Sequence, residues 1–217
     1  MNRRLKAIQR LLICLSFLNF SSPVWASVSA PVLKWQHGGC YASWCETGWY
    51  ASAAVVDLNG DGTMEVVAGA YSIFILNGTT GSLIKQIDPE GGRIWPGIVI
   101  ADLDGDNDPE IVTAHGDGYV HVFDHLGVPL WSRRPAGNEL RGLSVSDLDH
   151  DGVMEVIVNA ASYDSINTWV FAYDGTLRSG WPQLSSDSGY AYGVFNDNAA
   201  IADLDGKHRC SAHRKAR

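Results

Sequence analysis

The chain lacks any sustained helical period, and its apolar runs are short. Leu11 to Phe20, the apolar run nearest the start, is too short to span a bilayer comfortably. There is no nucleophile elbow, zinc-protease helix motif, P-loop or dinucleotide fingerprint. The seven histidines are scattered; His121 and His125 stand four apart, but in a strand and a turn rather than on one helical face. Acids do occur in pairs, but inside loops that commit their oxygens elsewhere, so no free acid–base pair can be nominated. Basic residues are outnumbered, 16 Lys and Arg against 24 Asp and Glu, for a formal charge of −8. A phosphate backbone needs a basic surface, so nucleic acid is excluded as an expected partner.

What the chain does have is one acidic stretch, written three times. The copies are Val56-Asp57-Leu58-Asn59-Gly60-Asp61-Gly62-Thr63-Met64-Glu65, Ala101-Asp102-Leu103-Asp104-Gly105-Asp106-Asn107-Asp108-Pro109-Glu110 and Ser146-Asp147-Leu148-Asp149-His150-Asp151-Gly152-Val153-Met154-Glu155. A fourth begins at Asp203 and Asp205 and stops where Lys207 replaces the third acid. Asp57, Asp102 and Asp147 are spaced 45 residues apart. A period of about 40–50 residues indicates a solenoid or propeller.

Oxygen ligands recur at loop positions 1, 3, 5 and 9: Asp57, Asn59, Asp61 and Glu65; Asp102, Asp104, Asp106 and Glu110; Asp147, Asp149, Asp151 and Glu155. Alternate residues of a tight turn converge on one centre, and Gly62 allows the bend. Acids this close repel one another unless a cation sits among them. Calcium, with its six to eight oxygen ligands, fits better than the stricter magnesium. Position 7 (Thr63, Asp108, Val153) varies in chemistry, so its backbone carbonyl is the natural ligand there. The alternative is an acidic surface turn without metal. An EF-hand is excluded, because position 12 is Ala68, Thr113 or Val158 instead of a bidentate Glu, and the flanks read as strands.

Strand, D-x-[DN]-x-D-G-x-x-E, strand resembles the FG-GAP/VCBS repeat, found in the amino-terminal β-propeller of integrin α chains and in many secreted bacterial proteins. The resemblance covers about residues 50–206. It implies an all-β chain of four-stranded antiparallel blades, about three plus a partial fourth, and so an incomplete propeller. It also implies calcium.

The rest of the chain is consistent with export. Arg3, Arg4, Lys6 and Arg10 precede the apolar run, and Val24-Trp25-Ala26 follows it, so residues 1–26 read as a signal peptide. Its removal takes the formal charge from −8 to about −12. Residues 27–49 form a lead-in, in which Pro31-Val32-Leu33-Lys34-Trp35 resembles Val128-Pro129-Leu130-Trp131 and is expected as an outer strand. Cys40 and Cys45 are disulfide candidates in an exported chain; free thiols are the alternative, and a zinc site lacks a second ligand pair. Expected strands are Ala53–Val56, Glu65–Ala68, Ser72–Leu76 and Leu83–Ile87; then Ile98–Ala101, Ile111–Ala114, Tyr119–Phe123 and Pro129–Ser132; then Leu143–Val145, Val156–Asn159, Thr168–Tyr173 and Trp181–Gln183. Residues 207–217 form an aberrant basic tail.

In a blade, successive strands alternate direction, so each acidic loop shares a face with the turn between strands three and four. Trp49, Tyr50, Trp95, Tyr190 and Tyr192 fall toward the opposite rim, with Leu140 in the same phase; the aromatic faces there can stack on a ligand or serve blade packing. The expected function is an exported, calcium-binding, non-catalytic binding or adhesion module, secreted, periplasmic or on the cell surface, with a glycan or an extracellular protein as partner. The alternative is a fragment of a secreted propeller enzyme, of the polysaccharide lyase or quinone-dependent dehydrogenase type. Open blade edges, with Val55, Val56, Val66 and Val67 as exposed apolar surface, predict self-association.

Overall fold

A computed structural model of the chain describes residues 29–38, 40–41, 44–45, 51–161, 166–183 and 198–203. Residues 29–33 belong to a unit separate from Lys34–Arg217; they are exposed and carry no regular structure. Among the described residues the fold is all-β, with thirteen strands and no helix.

A two-stranded hairpin comes first: β1 (Cys40–Tyr41) and β2 (Trp44–Cys45), with Cys40 opposite Cys45. The first blade follows: β3 (Ala54–Val56), β4 (Glu65–Gly69), β5 (Ile73–Asn77) and β6 (Leu83–Ile87), paired in sequence order. The second is β7 (Val99–Ala101), β8 (Glu110–Ala114), β9 (Val120–Phe123) and β10 (Pro129–Arg133). The third has three strands: β11 (Leu140–Ser146), β12 (Glu155–Ala160) and β13 (Thr168–Phe171). All pairings are antiparallel. This is a propeller-type arrangement of blades without a closed ring among the described residues.

The blades pack face to face, which explains why the second strand of each repeat is apolar at nearly every position. In β8 the pleat sends Ile111 into a core shared with Leu58, Val67, Ile73, Ile75, Ile94 and Ile98. It sends Val112 and Ala114 the other way, onto Leu143, Val156 and Val158 of the third blade. A strand covered on both faces is buried throughout, as all five residues of β8 are. The outer strands β6 and β10 lie at the edge and are largely exposed.

A second set of contacts links the blades with an offset of one. From the outer strand β6, the Lys85 ammonium donates to the Leu126 and Gly127 carbonyls in the next blade's β9–β10 turn, at 2.7 and 3.2 Å. From β10, Trp131 Nε1 donates to the Tyr173 carbonyl at 2.6 Å and Arg133 Nε to the Gly175 carbonyl at 2.8 Å. Gly175 has φ +78°, and a Cβ there would stand 2.7 Å from the Trp131 ring. In the lead-in, Trp35 Nε1 donates to the Gly78 carbonyl at 3.0 Å, and its ring lies over Gly81 of the first blade's β5–β6 turn. Thus Trp35 meets the first blade as Trp131 meets the third.

Three expectations are corrected and one is refined. Pro31–Trp35 forms no strand, although Trp35 docks where an outer strand's tryptophan would. Trp181–Gln183 is not a strand either: the fourth position of the third blade is reduced to isolated bridges, Phe171 with Leu177 and Thr168 with Gln183. Pro182 has no N–H for a ladder, and Gly180 at φ +87° turns the chain. Leu140 lies at the opposite rim as expected, opening β11 with its N–H donating to the His115 carbonyl of the β8–β9 turn at 3.1 Å, but its side chain is fully buried between two blades. Of the four valines, Val55 is 65% exposed but Val67 is fully buried, because alternate residues of β4 face the second blade.

Candidate metal centre

Each acidic loop joins the first and second strands of its blade, and its geometry follows from the register at the strand ends. The closing glutamate opens the second strand, directly opposite the last residue of the first: Glu65 with Val56, Glu110 with Ala101, Glu155 with Ser146. All three glutamates are buried. Each accepts a hydrogen bond at Oε2 from the backbone N–H at loop position 2: Leu58 at 3.0 Å, Leu103 at 2.8 Å and Leu148 at 2.8 Å. The leucine at position 2 is therefore part of the construction. Its recurrence in every copy was the available signal, but reading only the acids overlooks it.

Position 1 organises the turn. Asp57 accepts from the N–H groups of Asp61 and Gly62, Asp102 from Gly105 and Asn107, and Asp147 from Asp151 and Gly152. Positions 4 and 6 have positive φ in all three loops: Gly60 and Gly62, Gly105 and Asn107, His150 and Gly152. Two left-handed residues two apart turn the backbone N–H groups inward. Asn tolerates this region readily, whereas His150 at φ 61° is held there by the loop.

In the second loop, carboxylate oxygens of Asp102, Asp104 and Glu110 lie within 4.8 Å of one another; in the third, so do those of Asp147, Asp149 and Glu155. Positions 1, 3 and 9 thus converge. Position 5 is not part of either group: Asp61, Asp106 and Asp151 instead accept from the N–H two residues on, at Thr63, Asp108 and Val153. In the first loop position 3 is Asn59, whose amide oxygen accepts from the Asp61 N–H at 3.0 Å. That loop has two carboxylates and an amide where the others have three carboxylates. Such an all-oxygen donor set suits a hard cation.

Burial pushes the Glu110 carboxyl up to about 7, against the Leu103 hydrogen bond, and the charges of Asp104, Asp106 and Asp102 push the same way. Glu155 is also raised by burial, opposed by the Leu148 N–H and by Arg178. Arg178 is a residue the sequence reading missed: its Nη1 donates to Glu155 Oε1 at 2.7 Å and its Nη2 to Asp149 Oδ2. At the second loop, His125 Nδ1 lies 3.9 Å from Asp108 Oδ2 and is buried without a hydrogen-bond partner. Both residues come from the region after the third strand, so the acidic loop does share a face with that turn.

Residues 102–158 match the model of the FG-GAP-like repeat, and residues 49–81 that of the FG-GAP repeat. The chain carries FG-GAP repeats. FG-GAP repeats point to a binding or interaction module and are typical of extracellular or surface proteins. No curated protein matches the sequence. Among solved structures, the chain is similar to the C-terminal domain of Pseudomonas aeruginosa PilY1, at 16% identity over 70% of this chain and 41% of that one, with a TM-score of 0.52. That likeness concerns the fold. The biofilm matrix protein Bap1 of V. cholerae is 26% identical over 59% of this chain and 27% of its own, with a TM-score of 0.32. The computationally designed Ika4 protein is 18% identical over 76% and 91%, with a TM-score of 0.48. The chain spans less than half the length of either natural protein's solved chain.

Of the other expected site residues, Trp95 packs against the β8–β9 turn, and the Arg141 guanidinium lies 3.8 Å from the centre of its ring. One face of that indole is therefore already covered. Trp49, Tyr50, Tyr190, Tyr192 and Asp205 lie outside the described residues, as do residues 1–26, expected as a signal peptide, and 207–217, expected as a basic tail. No helix among the described residues is long and apolar enough to cross a membrane.

Proposed function

We propose that this FG-GAP repeat protein is an exported, non-catalytic binding module whose acidic loops take calcium. The observation that carries the reading is the convergence of positions 1, 3 and 9 in two successive loops, with the buried glutamate fixed by a backbone N–H. Bound calcium would be held by Asp102, Asp104 and Glu110 and by their counterparts, and would offset the burial and the neighbouring charges that raise Glu110. The ion's role here is to hold the first two strands of a blade together at the loop. The blades then present a fixed surface to a partner, for which an extracellular protein or a glycan suits an acidic, exported chain.

Thermal unfolding in calcium and in chelator, at matched ionic strength, tests the reading. A ligand that binds only the native state adds about 2.7 kcal/mol per site at a hundredfold excess over its dissociation constant. The midpoint is expected to rise clearly with calcium and less with magnesium. Equal midpoints with calcium and chelator would remove the proposal.

A further inference from the structure

The three acidic loops differ in one respect that the repeat does not predict. In the third, a single guanidinium bridges two of the three converging carboxylates: Arg178 pairs with Glu155 at 2.7 Å through Nη1 and with Asp149 through Nη2. The remaining carboxylate, Asp147, is held by the backbone N–H groups of Asp151 and Gly152. Among the described residues, no Lys or Arg forms an ion pair with the carboxylates of the first or second loop.

The register accounts for the difference. Leu177 bridges Phe171 just as Pro129 pairs with Phe123 in the second blade and Leu83 with Leu76 in the first. The next residue is Arg178 in the third blade, Leu130 in the second and Ile84 in the first. Leu130 and Ile84 are both exposed. Arg178 is anchored by its own backbone N–H, which donates to the Val170 carbonyl at 2.9 Å. One position that is apolar in two blades is cationic in the third, and its side chain enters the acidic loop.

We propose that Arg178 is a built-in counter-cation of the third loop, which keeps Asp149 and Glu155 paired in the absence of metal and must be displaced before calcium can use them. The inference rests on the calcium reading of the loops. Glu155 Oε1 and Asp149 Oδ2 cannot each serve a guanidinium N–H and a cation in the same place, and the forked pairing is charge-assisted at both ends. The third loop is therefore the weak site, and the chain answers calcium in two steps. The first two loops fill at low concentration; the third stays closed by Arg178 until the concentration is higher. The third blade, in turn, depends least on calcium for its order.

Calorimetric titration of the whole chain with calcium chloride is the test, on the wild type, Arg178→Gln and Arg178→Lys. The wild type is expected to show tight binding and one weaker step. Arg178→Gln removes the charge and should tighten the weaker step by roughly tenfold or more. Arg178→Lys keeps the charge without the fork and should fall between the two. In chelator, Arg178→Gln should melt below the wild type, and saturating calcium should remove the difference. Identical isotherms for wild type and both variants would overturn the role of Arg178 while leaving the calcium reading intact. Absence of calcium binding in every protein, including at the loop of Asp102, would overturn both. If Arg178→Gln does not fold, the comparison of wild type with Arg178→Lys decides: an unchanged weak step refutes the proposal.

Discussion

Gly175→Ala probes the contact that links one blade to the next. The residue sits at φ +78°, and an added Cβ would approach the Trp131 ring to 2.7 Å. The left-handed backbone alone costs about 1–2 kcal/mol for an alanine. The methyl must also push the indole away, and forcing a carbon into a packed site costs roughly 1–3 kcal/mol. Moving the ring strains its 2.6 Å hydrogen bond to the Tyr173 carbonyl, a bond worth about 1 kcal/mol. Together these predict a loss of about 3–6 kcal/mol. Gly180→Ala is the control: φ is +87° and nothing lies within 4 Å of its added Cβ, so only the backbone term of about 1–2 kcal/mol applies. Urea unfolding, followed by circular dichroism so that the reporter is independent of Trp131, measures both. Equal losses in the two variants would refute the reasoning, since the Trp131 contact would then contribute nothing.

Three further outcomes are expected. His115 is fully buried, bonded to Thr113 and the Gly92 carbonyl and edge-on to His121, whose own charged neighbour is Glu90. Burial lowers it from 6.5 to about 4, so the folded state holds fewer protons than the unfolded one in this window. Stability is then complete above pH 6.5 and falls by about 3 kcal/mol as pH drops to about 4, at about 1.4 kcal/mol per unit; His121 adds in the same direction, and His115→Gln should flatten the slope measured by denaturation across pH. Asp102→Ala, which removes the hydrogen bonds that fix the Gly105 and Asn107 N–H groups, should cost about 1–2 kcal/mol in chelator, whereas Asp108→Ala, at an exposed side chain, should stay within about 0.5 kcal/mol; parallel denaturation curves check this. The register of β1 and β2 sets Cys40 directly opposite Cys45, within the usual Cα span of a disulfide, so non-reducing peptide mapping of exported protein should find the two linked.

Much of this fold is legible because its information is local. Aspartates or an asparagine at alternate positions and a glutamate, all inside ten residues, announce the loop, and β-branched runs on either side announce the strands. The ends of β4, β8 and β12 fall within a residue of expectation for that reason. What could not be read depends on partners distant in the chain. Arg178 lies 29 residues from Asp149, and nothing local says that it turns into the loop rather than outward. Leu140 stands at the rim that its phase indicates, but its burial there comes from the second blade, which its local sequence does not announce. Trp35 reads as kin to Trp131 and meets a turn glycine as Trp131 does, but the segment that carries it forms no strand. The distinction between positions 1, 3 and 9 and position 5 likewise rests on backbone hydrogen bonds inside the loop.

The offset of the outer strands bears on how such a chain can be divided. A sheet looks like the natural module, yet a transplanted sheet would leave its turn glycine uncovered and its own outer tryptophan or lysine without a turn to meet. A segment running from an outer strand through the next blade's third turn, such as Trp131 to Gly175, carries a complete set of these contacts. Duplication or exchange at that boundary preserves every ring-on-glycine pair, whereas a cut between sheets breaks one at each end. The unit of recombination in this architecture is therefore out of phase with the unit of pairing, and chimaeras joined inside the third turn should fold more readily than those joined between blades.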